Sequence, residues 1–267
     1  MSDIAGDVEQ LAELEPRFQE IETASLTHTV SAEDTHLGFR LDGIKASKHY
    51  LKDQLVNDEF KKAFHKAVRW TYRLFRWQTR PEHRNFFVCA CAVSDEVSFI
   101  LNTPKNYYGN RVFKLGTTLA GTLSATMTVT YQPRREHSPK GKDRAIVAFD
   151  ARPVALAGYD DIVDYLRYRW LVSCRNALGK VLRLAHVLPD EELFGTDLKT
   201  DFGRLYSIVE EEQLLDDYHA IIQRFALFIP DEKSELVVYP ASSDGDSIES
   251  HFLRLRQFYD WLREAQP

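Results

Sequence analysis

Phe86 to Leu101 reads Phe-Phe-Val-Cys-Ala-Cys-Ala-Val-Ser-Asp-Glu-Val-Ser-Phe-Ile-Leu. Phe86–Val93 is a continuous apolar run, rich enough for a buried strand, and Val97–Leu101 is a second. Ser94-Asp95-Glu96 lies between them, so the stretch reads as strand, tight turn, strand. Upstream, His36-Leu37-Gly38-Phe39-Arg40-Leu41-Asp42 is short and semi-apolar, compatible with another strand. Asn57 and Asp58 can cap a helix. In that helix Phe60, Phe64, Ala67, Val68, Thr71 and Phe75 recur at helical spacing, up to Pro81. Its other face carries Lys61, Lys62, Lys66, Arg69, Arg73 and Arg76.

Downstream, Tyr107–Tyr131 is ambiguous. Its Gly and Thr content disfavours a helix and its length disfavours a single strand. Arg134–Arg144 reads as a basic loop and Ala145–Phe149 as a strand. Asp160–Leu184 has helical periodicity through Ile162, Leu166, Trp170, Leu178 and Leu182. Leu236–Tyr239 is a further short strand, Ser242–Ser247 a polar linker, and His251–Ala265 a terminal helix. At the other end Leu11, Leu14, Phe18 and Ile21 space an acidic amphipathic helix or a partly disordered tail. The β-α-β-β order predicts an α/β or α+β core. The expected division is an acidic N-terminal extension over residues 1–34, a body over 35–188, and an acidic, mostly helical extension over 189–267.

Composition narrows the class. The chain has 267 residues, 44% hydrophobic and 28% charged, ordinary for a globular protein. Nothing approaches eighteen consecutive apolar residues, and the acidic N-terminus lacks the apolar core of a secretory signal. Three cysteines, Cys89, Cys91 and Cys174, predict a reducing compartment, the cytoplasm. The net charge of -6 argues against a polyanionic partner, but the average hides a segregation. Residues 37–188 hold 26 basic and 13 acidic side chains, and the rest of the chain holds 8 and 27. A body at +13 can steer a polyanion.

Two acidic positions draw attention, Asp42 before Gly43 at a strand end and Asp95-Glu96 at the hairpin tip. Isolated acids there are most often turn residues or solvated tips. At the edge of a core, however, carboxylates need partners, and a hard divalent cation is one. Two carboxylates on neighbouring strands can bridge two Mg2+ ions about 4 Å apart. Phosphates need cations, and Lys45, Lys48, Lys52, Arg111, Lys114 and Arg152 lie close in sequence to the acids. Cys89-Ala90-Cys91 has the wrong spacing for a zinc knuckle, and no phosphate-loop, dinucleotide or serine-hydrolase motif is present.

Arg40-Leu41-Asp42-Gly43, then Ser94-Asp95-Glu96-Val97-Ser98-Phe99, then Tyr108 through Arg111 to Lys114-Leu115, then Phe149-Asp150-Ala151-Arg152 occur in this order. Together with Tyr165-Leu166-Arg167-Tyr168-Arg169, they resemble the tRNA-histidine guanylyltransferase and guanylyltransferase-like family, the 3′-to-5′ nucleotide-adding polymerases. The resemblance covers roughly 37–185. It implies an α+β polymerase- and cyclase-like palm, an antiparallel sheet with flanking helices, and makes Tyr107–Tyr131 helical. It implies an Mg-dependent nucleotidyltransferase that adds nucleotides to the 5′ end of tRNA or another RNA, including repair of tRNA 5′ ends. Asp42, Asp95 and the Gly43 carbonyl would ligate two Mg2+ ions, with Ser94 and Glu96 in support. Lys45, Lys52, Arg111, Lys114 and Arg152 would hold GTP or ATP. The RNA would lie on the basic body, with Lys140, Lys142, Arg144 and the 61–76 helix face contributing. The family implies a homo-oligomer, dimer or tetramer.

Two departures stand out. Ala46 replaces the family's Phe after Asp-Gly, and Cys174-Arg175-Asn176-Ala177 occupies the place of its His-Ile-Asn-Asn segment, keeping Asn176 alone. Two other readings fit the same acids: a palm-fold nucleotide cyclase-like signalling enzyme, and a non-catalytic RNA-binding descendant. Retention of both Asp42 and Asp95 weighs against the descendant.

Overall fold

The computed structural model describes residues 12–25, 36–44, 46, 59–78, 86–102, 111–132, 146–193, 198–222, 225–231, 233–240 and 248–264. Lys45, Lys48, Lys52, Lys140, Lys142, Arg144, Tyr108 and the 242–247 linker lie outside them.

Six strands form one antiparallel sheet. They are β1 (His36–Gly43), β2 (Phe87–Val93), β3 (Glu96–Leu101), β4 (Phe149–Leu156), β5 (Ala226–Pro230) and β6 (Leu236–Pro240), in the order β4-β1-β3-β2-β5-β6. Seven α-helices are described: α1 (Leu14–Ser25), α2 (Glu59–Gln78), α3 (Val112–Thr130), α4 (Tyr159–Leu184), α5 (Leu198–Glu211), α6 (Leu215–Ile222) and α7 (Ile248–Glu264). The result is an α+β fold with helices on both faces of the sheet.

Alternation along the strands divides the core in two. Leu37, Phe39 and Leu41 of β1, Ala90 and Ala92 of β2, and Val97 and Phe99 of β3 pack with the apolar stripes of α2 and α3. Phe60, Phe64, Ala67, Val68, Tyr72 and Phe75 make the α2 stripe, and Phe64 stacks on Phe149 at 5.7 Å. On the other face Cys89, Cys91, Val93, Ile100, Val154 and Leu156 pack with α1, α4, α5, α6 and α7.

The ambiguous 107–131 stretch is helical over Val112–Thr130 for two local reasons. Thr117 and Thr118 return their hydroxyls to the Phe113 and Lys114 carbonyls at 2.8 and 2.7 Å, a bond that lets threonine sit in a helix. Gly116 also rests on β1. A Cβ there would stand 3.1 Å from the Phe39 ring, so the glycine lets α3 approach the sheet without displacing that ring.

The strand expected at Ala145–Phe149 lies further on, at Phe149–Leu156. Polar Asp150 and Arg152 and the buried Pro153 obscure it in sequence. Pro153 is tolerated because β4 pairs on one side, with β1, and forms the sheet edge. The segment past residue 188 is mostly helical, but it also adds β5 against β2 and β6 against β5. The acidic segment near the N-terminus forms α1. Its Phe18 is fully buried beside Tyr165 and Tyr168, and Arg17 pairs with Asp161 and Asp164 of α4. Among the described residues, no helix is long and apolar enough to cross a membrane.

Candidate active site

The sheet register assembles the acids. Asp42 of β1 pairs with Glu96 of β3 on one side and with Asp150 of β4 on the other. Residues paired across strands share a face, so three carboxylates form a row on the α4 side of the sheet. One step along, Arg40 pairs with Ser98 and Arg152, which gives a second row on the same face.

The hairpin tip brings in Asp95. Ser94 takes φ 58°, a left-handed conformation at the first position of a two-residue turn, where glycine is the easy choice. Backbone strain of this kind gathers at functional sites. The Gly43 N–H donates to the Asp95 carbonyl at 3.1 Å, which fastens the end of β1 to the tip. A Cβ on Gly43 would lie 2.8 Å from the Ala46 Cβ and 3.3 Å from the Asp95 carbonyl oxygen, so only glycine fits.

Helix α4 supplies cations to this row. Arg169 grips Glu96 with Nε to Oε1 at 2.8 Å and Nη2 to Oε2, and both side chains are nearly buried. Lys180 donates to Asp95 Oδ1 at 2.9 Å and to Ser94 Oγ. The Ser94 hydroxyl donates to the same Asp95 oxygen at 3.0 Å. Arg169 and Lys180 stand three helical turns apart, hence on one face. Between these strand ends and α4 lies a cavity of about 90 Å³, whose lining includes Arg40, Asp42, Asp95, Glu96, Asn176 and Lys180.

Charge in the cavity is uneven. Burial, then Asp95, Glu96 and Asp150, push the Asp42 carboxyl from its usual 3.8 up to about 6, with Arg40 opposing. Thiol chemistry is unsupported here. Cys89, Cys91 and Cys174 are buried, and burial drives all three thiols upward.

Asp42, Gly43, Ser94, Asp95 and Glu96 therefore converge, and Arg152 stands beside them, 3.6 Å from Asp150. Arg111 and Lys114 do not line the cavity. Both are exposed on α3, whose buried side packs on the opposite face of the sheet. Lys45 and Lys52 fall outside the described residues. Sequence reading passed over Asp150, Arg40, Arg169 and Lys180 as members of the site. A signal for the last two was present: both charges fall on the apolar stripe of α4, where a charge needs a partner.

The sequence profile of the tRNAHis guanylyltransferase family matches residues 18–157, just over half the chain. The chain belongs to the tRNAHis guanylyltransferase family. That makes it an enzyme of the nucleotidyltransferase class. No curated protein matches it in sequence. Solved structures share the guanylyltransferase fold. A bacterial tRNA(His) guanylyltransferase-like protein in complex with ATP is 17% identical, with 92% of this chain and 98% of that chain covered, at TM-score 0.59. The bacterial protein in complex with GTP is 16% identical, covering 92% and 99%, at TM-score 0.55. The tRNA(His) guanylyltransferase from Saccharomyces cerevisiae is 19% identical, covering 82% and 94%, at TM-score 0.54.

The family resemblance implies Mg2+, and the donor set fits it. Among the described residues, no three His, Cys, Asp or Glu side chains form a ready-made metal cage. Mg2+ does not need one. It keeps several waters and takes one or two carboxylates beside a phosphate. Asp42 and Asp95 supply hard oxygens on adjoining backbone segments. Burial first, and the neighbouring carboxylates after it, raise the Asp42 carboxyl, and a bound divalent ion would favour its charged form.

Proposed function

We propose that this guanylyltransferase-family enzyme adds nucleotides in the 3′-to-5′ direction to the 5′ end of tRNA or another RNA, including repair of truncated tRNA 5′ ends. The observation that carries the reading is the meeting of Asp42 and Glu96, paired across the sheet, with Asp95 at a cavity walled by cations of α4, with Asp150 beside Asp42 on the neighbouring strand. Asp42, Asp95 and the Gly43 carbonyl would hold Mg2+, which when bound would activate a hydroxyl and stabilise charge on a departing phosphate. Arg40 and Arg152, side by side in the sheet, are placed to neutralise a nucleotide triphosphate, GTP or ATP. Arg111, Lys114, Lys45 and Lys52 remain proposed phosphate contacts outside this cavity.

The residues act chiefly by positioning and charge. Arg169 fixes Glu96, and with it the tip of the hairpin, against α4. The nucleotide's 3′-hydroxyl gives its proton to solvent as its oxygen bonds to the phosphorus of an RNA 5′ phosphate activated by a nucleotidyl or pyrophosphoryl group, and the P–O bond to that group breaks, releasing a nucleoside monophosphate or pyrophosphate. The sheet with α2 and α3 beneath it reads as a polymerase-like palm. RNA would follow the basic outer face of α2, where Lys66, Arg69 and Trp70 are exposed. Arg73 and Arg76 of that face are engaged internally with Glu235 at 2.9 and 3.4 Å, which narrows the RNA-facing set. All the groups proposed to act on nucleotide fall within 35–188.

Incubation with Mg2+ and labelled GTP, with and without a tRNA lacking its first nucleotide, tests this. Label joined to the RNA 5′ end is expected. A cyclic nucleotide made without RNA would replace the reading with a cyclase.

A further inference from the structure

Lys180 is an unusual residue for its position. It lies on the buried side of α4, among Ala177, Leu178 and Val181, and is 8% exposed. A buried ammonium is costly unless it is paired. Its partners are the groups at the tip of the β2–β3 hairpin, Asp95 Oδ1 at 2.9 Å and Ser94 Oγ. The Asp95 oxygen is thus claimed by the Lys180 ammonium and by the Ser94 hydroxyl at once. An ammonium and a hydrated divalent cation make the same demand, oxygen acceptors around a positive charge. Held on one carboxylate at this depth, they repel each other. Lysine also carries its charge on a flexible four-carbon stem, so it can withdraw without moving the helix. The adjoining cavity, lined by Arg40 and Asn176 as well, leaves the ammonium a place to go.

We propose that Lys180 is a built-in counter-cation for Asp95: it holds that carboxylate in the metal-free site, competes with the divalent ion for it, and turns to the nucleotide's phosphates when the ion arrives. The proposal rests on the reading of Asp42 and Asp95 as the metal site. It makes Lys180 a positioning residue that couples ion and nucleotide binding. In the intact protein the ion alone binds weakly, because Lys180 must give up Asp95 for a cavity whose other carboxylates are already engaged, Glu96 by Arg169 and Asp42 by the ion itself. A triphosphate supplies that anion, so ion and nucleotide bind cooperatively.

The test is titration of the full chain with Mn2+, followed by electron paramagnetic resonance, with and without a non-hydrolysable nucleoside triphosphate. Lys180→Met is expected to bind Mn2+ alone at least about tenfold more tightly than the intact protein, since the competing charge is gone. It should also lose most of the nucleotide's effect on Mn2+ affinity. Lys180→Arg, which keeps the charge, is expected to stay near the intact protein. Circular dichroism checks folding, and Lys180→Gln, whose amide can still bond Asp95 and Ser94, replaces the Met variant if that fails to fold. Unchanged or weaker Mn2+ binding in the folded neutral variant overturns the role of Lys180 while leaving the site intact. Absence of Mn2+ binding by the intact protein, with or without nucleotide, overturns the metal-site reading and this proposal with it.

Discussion

The two faces of one sheet carry opposite chemistry. Toward α2 and α3, β1 presents Leu37, Phe39 and Leu41, and the neighbouring strands answer with Ala90, Ala92, Val97 and Phe99. Toward α4, the same β1 presents Gly38, Arg40 and Asp42, beside Glu96, Ser98, Asp150 and Arg152. The first face holds the sheet together by burial. The second is apolar too where Cys89, Cys91, Val93, Ile100, Val154 and Leu156 pack on the helices, but beside Asp42 it buries charge, which Arg169 and Lys180 of α4 meet. A strand with a period of two can serve both ends, so along β1 the α2–α3 core residues and the charged residues are separated by parity.

That separation can be broken in graded ways. The largest effect is expected from Asp42→Ala or Asp95→Ala. Nucleotide addition should fall by at least about a thousandfold, the scale of losing transition-state charge stabilisation, with circular dichroism unchanged. Wild-type rates in either variant would place the chemistry elsewhere. Next, Arg169→Met leaves Glu96 buried without its cation. Urea unfolding should show a loss of about 3–5 kcal/mol, largely restored when Glu96→Gln is added. No recovery in the double variant would mean that Arg169 acts through packing.

On the apolar face, Leu119→Ala is expected to cost about 2–5 kcal/mol in the same assay, by opening a cavity in the core that α3 shares with α2 and the sheet. Mn2+ affinity of the folded variant should not change. A large change would show that the two faces are coupled. The smallest effect concerns pH. The native Asp42 carboxyl titrates near 6 against 3.8 for the free group, so the folded state holds the proton more tightly. Stability therefore falls as pH rises from about 4 to about 6, and the penalty persists above. Asp42→Asn removes it. The variant should melt higher at pH 8, by an amount on the order of 1–2 kcal/mol after solvent screening, and show no gain at pH 4. A variant that melts lower at pH 8 would mean that Asp42 is already neutralised by a partner.

How much of this was legible follows the same division. The hairpin Phe86–Leu101 and the α2 stripe announced themselves because apolar runs and helical spacing report burial directly. The helix at Val112–Thr130 was ambiguous in propensity because its threonines are satisfied by bonds to their own helix and Gly116 by a contact with distant Phe39. Strand β4 was misplaced because polar Asp150 and Arg152 break its apolar pattern. The short β5 escaped notice because a five-residue strand between helices leaves little periodicity to read.

In the site, Asp42 and the Ser94–Glu96 tip were visible as acids at the edge of a core. Their partners were not, since cross-strand register and the approach of α4 are tertiary facts. Lysines and arginines near the acids in sequence were poor guides for the same reason. Arg111 and Lys114 follow the hairpin closely, yet α3 carries them to the other face, whereas Lys180 arrives from far along the chain.

The most direct test of the account is a crystal structure with Mn2+ and a nucleoside triphosphate bound, read by anomalous scattering. Mn2+ is expected at the Asp42 and Asp95 carboxylates, with the triphosphate on the α4 side of the sheet beside Arg40. Mn2+ bound away from both carboxylates, with Asp95 still on Lys180 in the presence of the triphosphate, would be the contrary result.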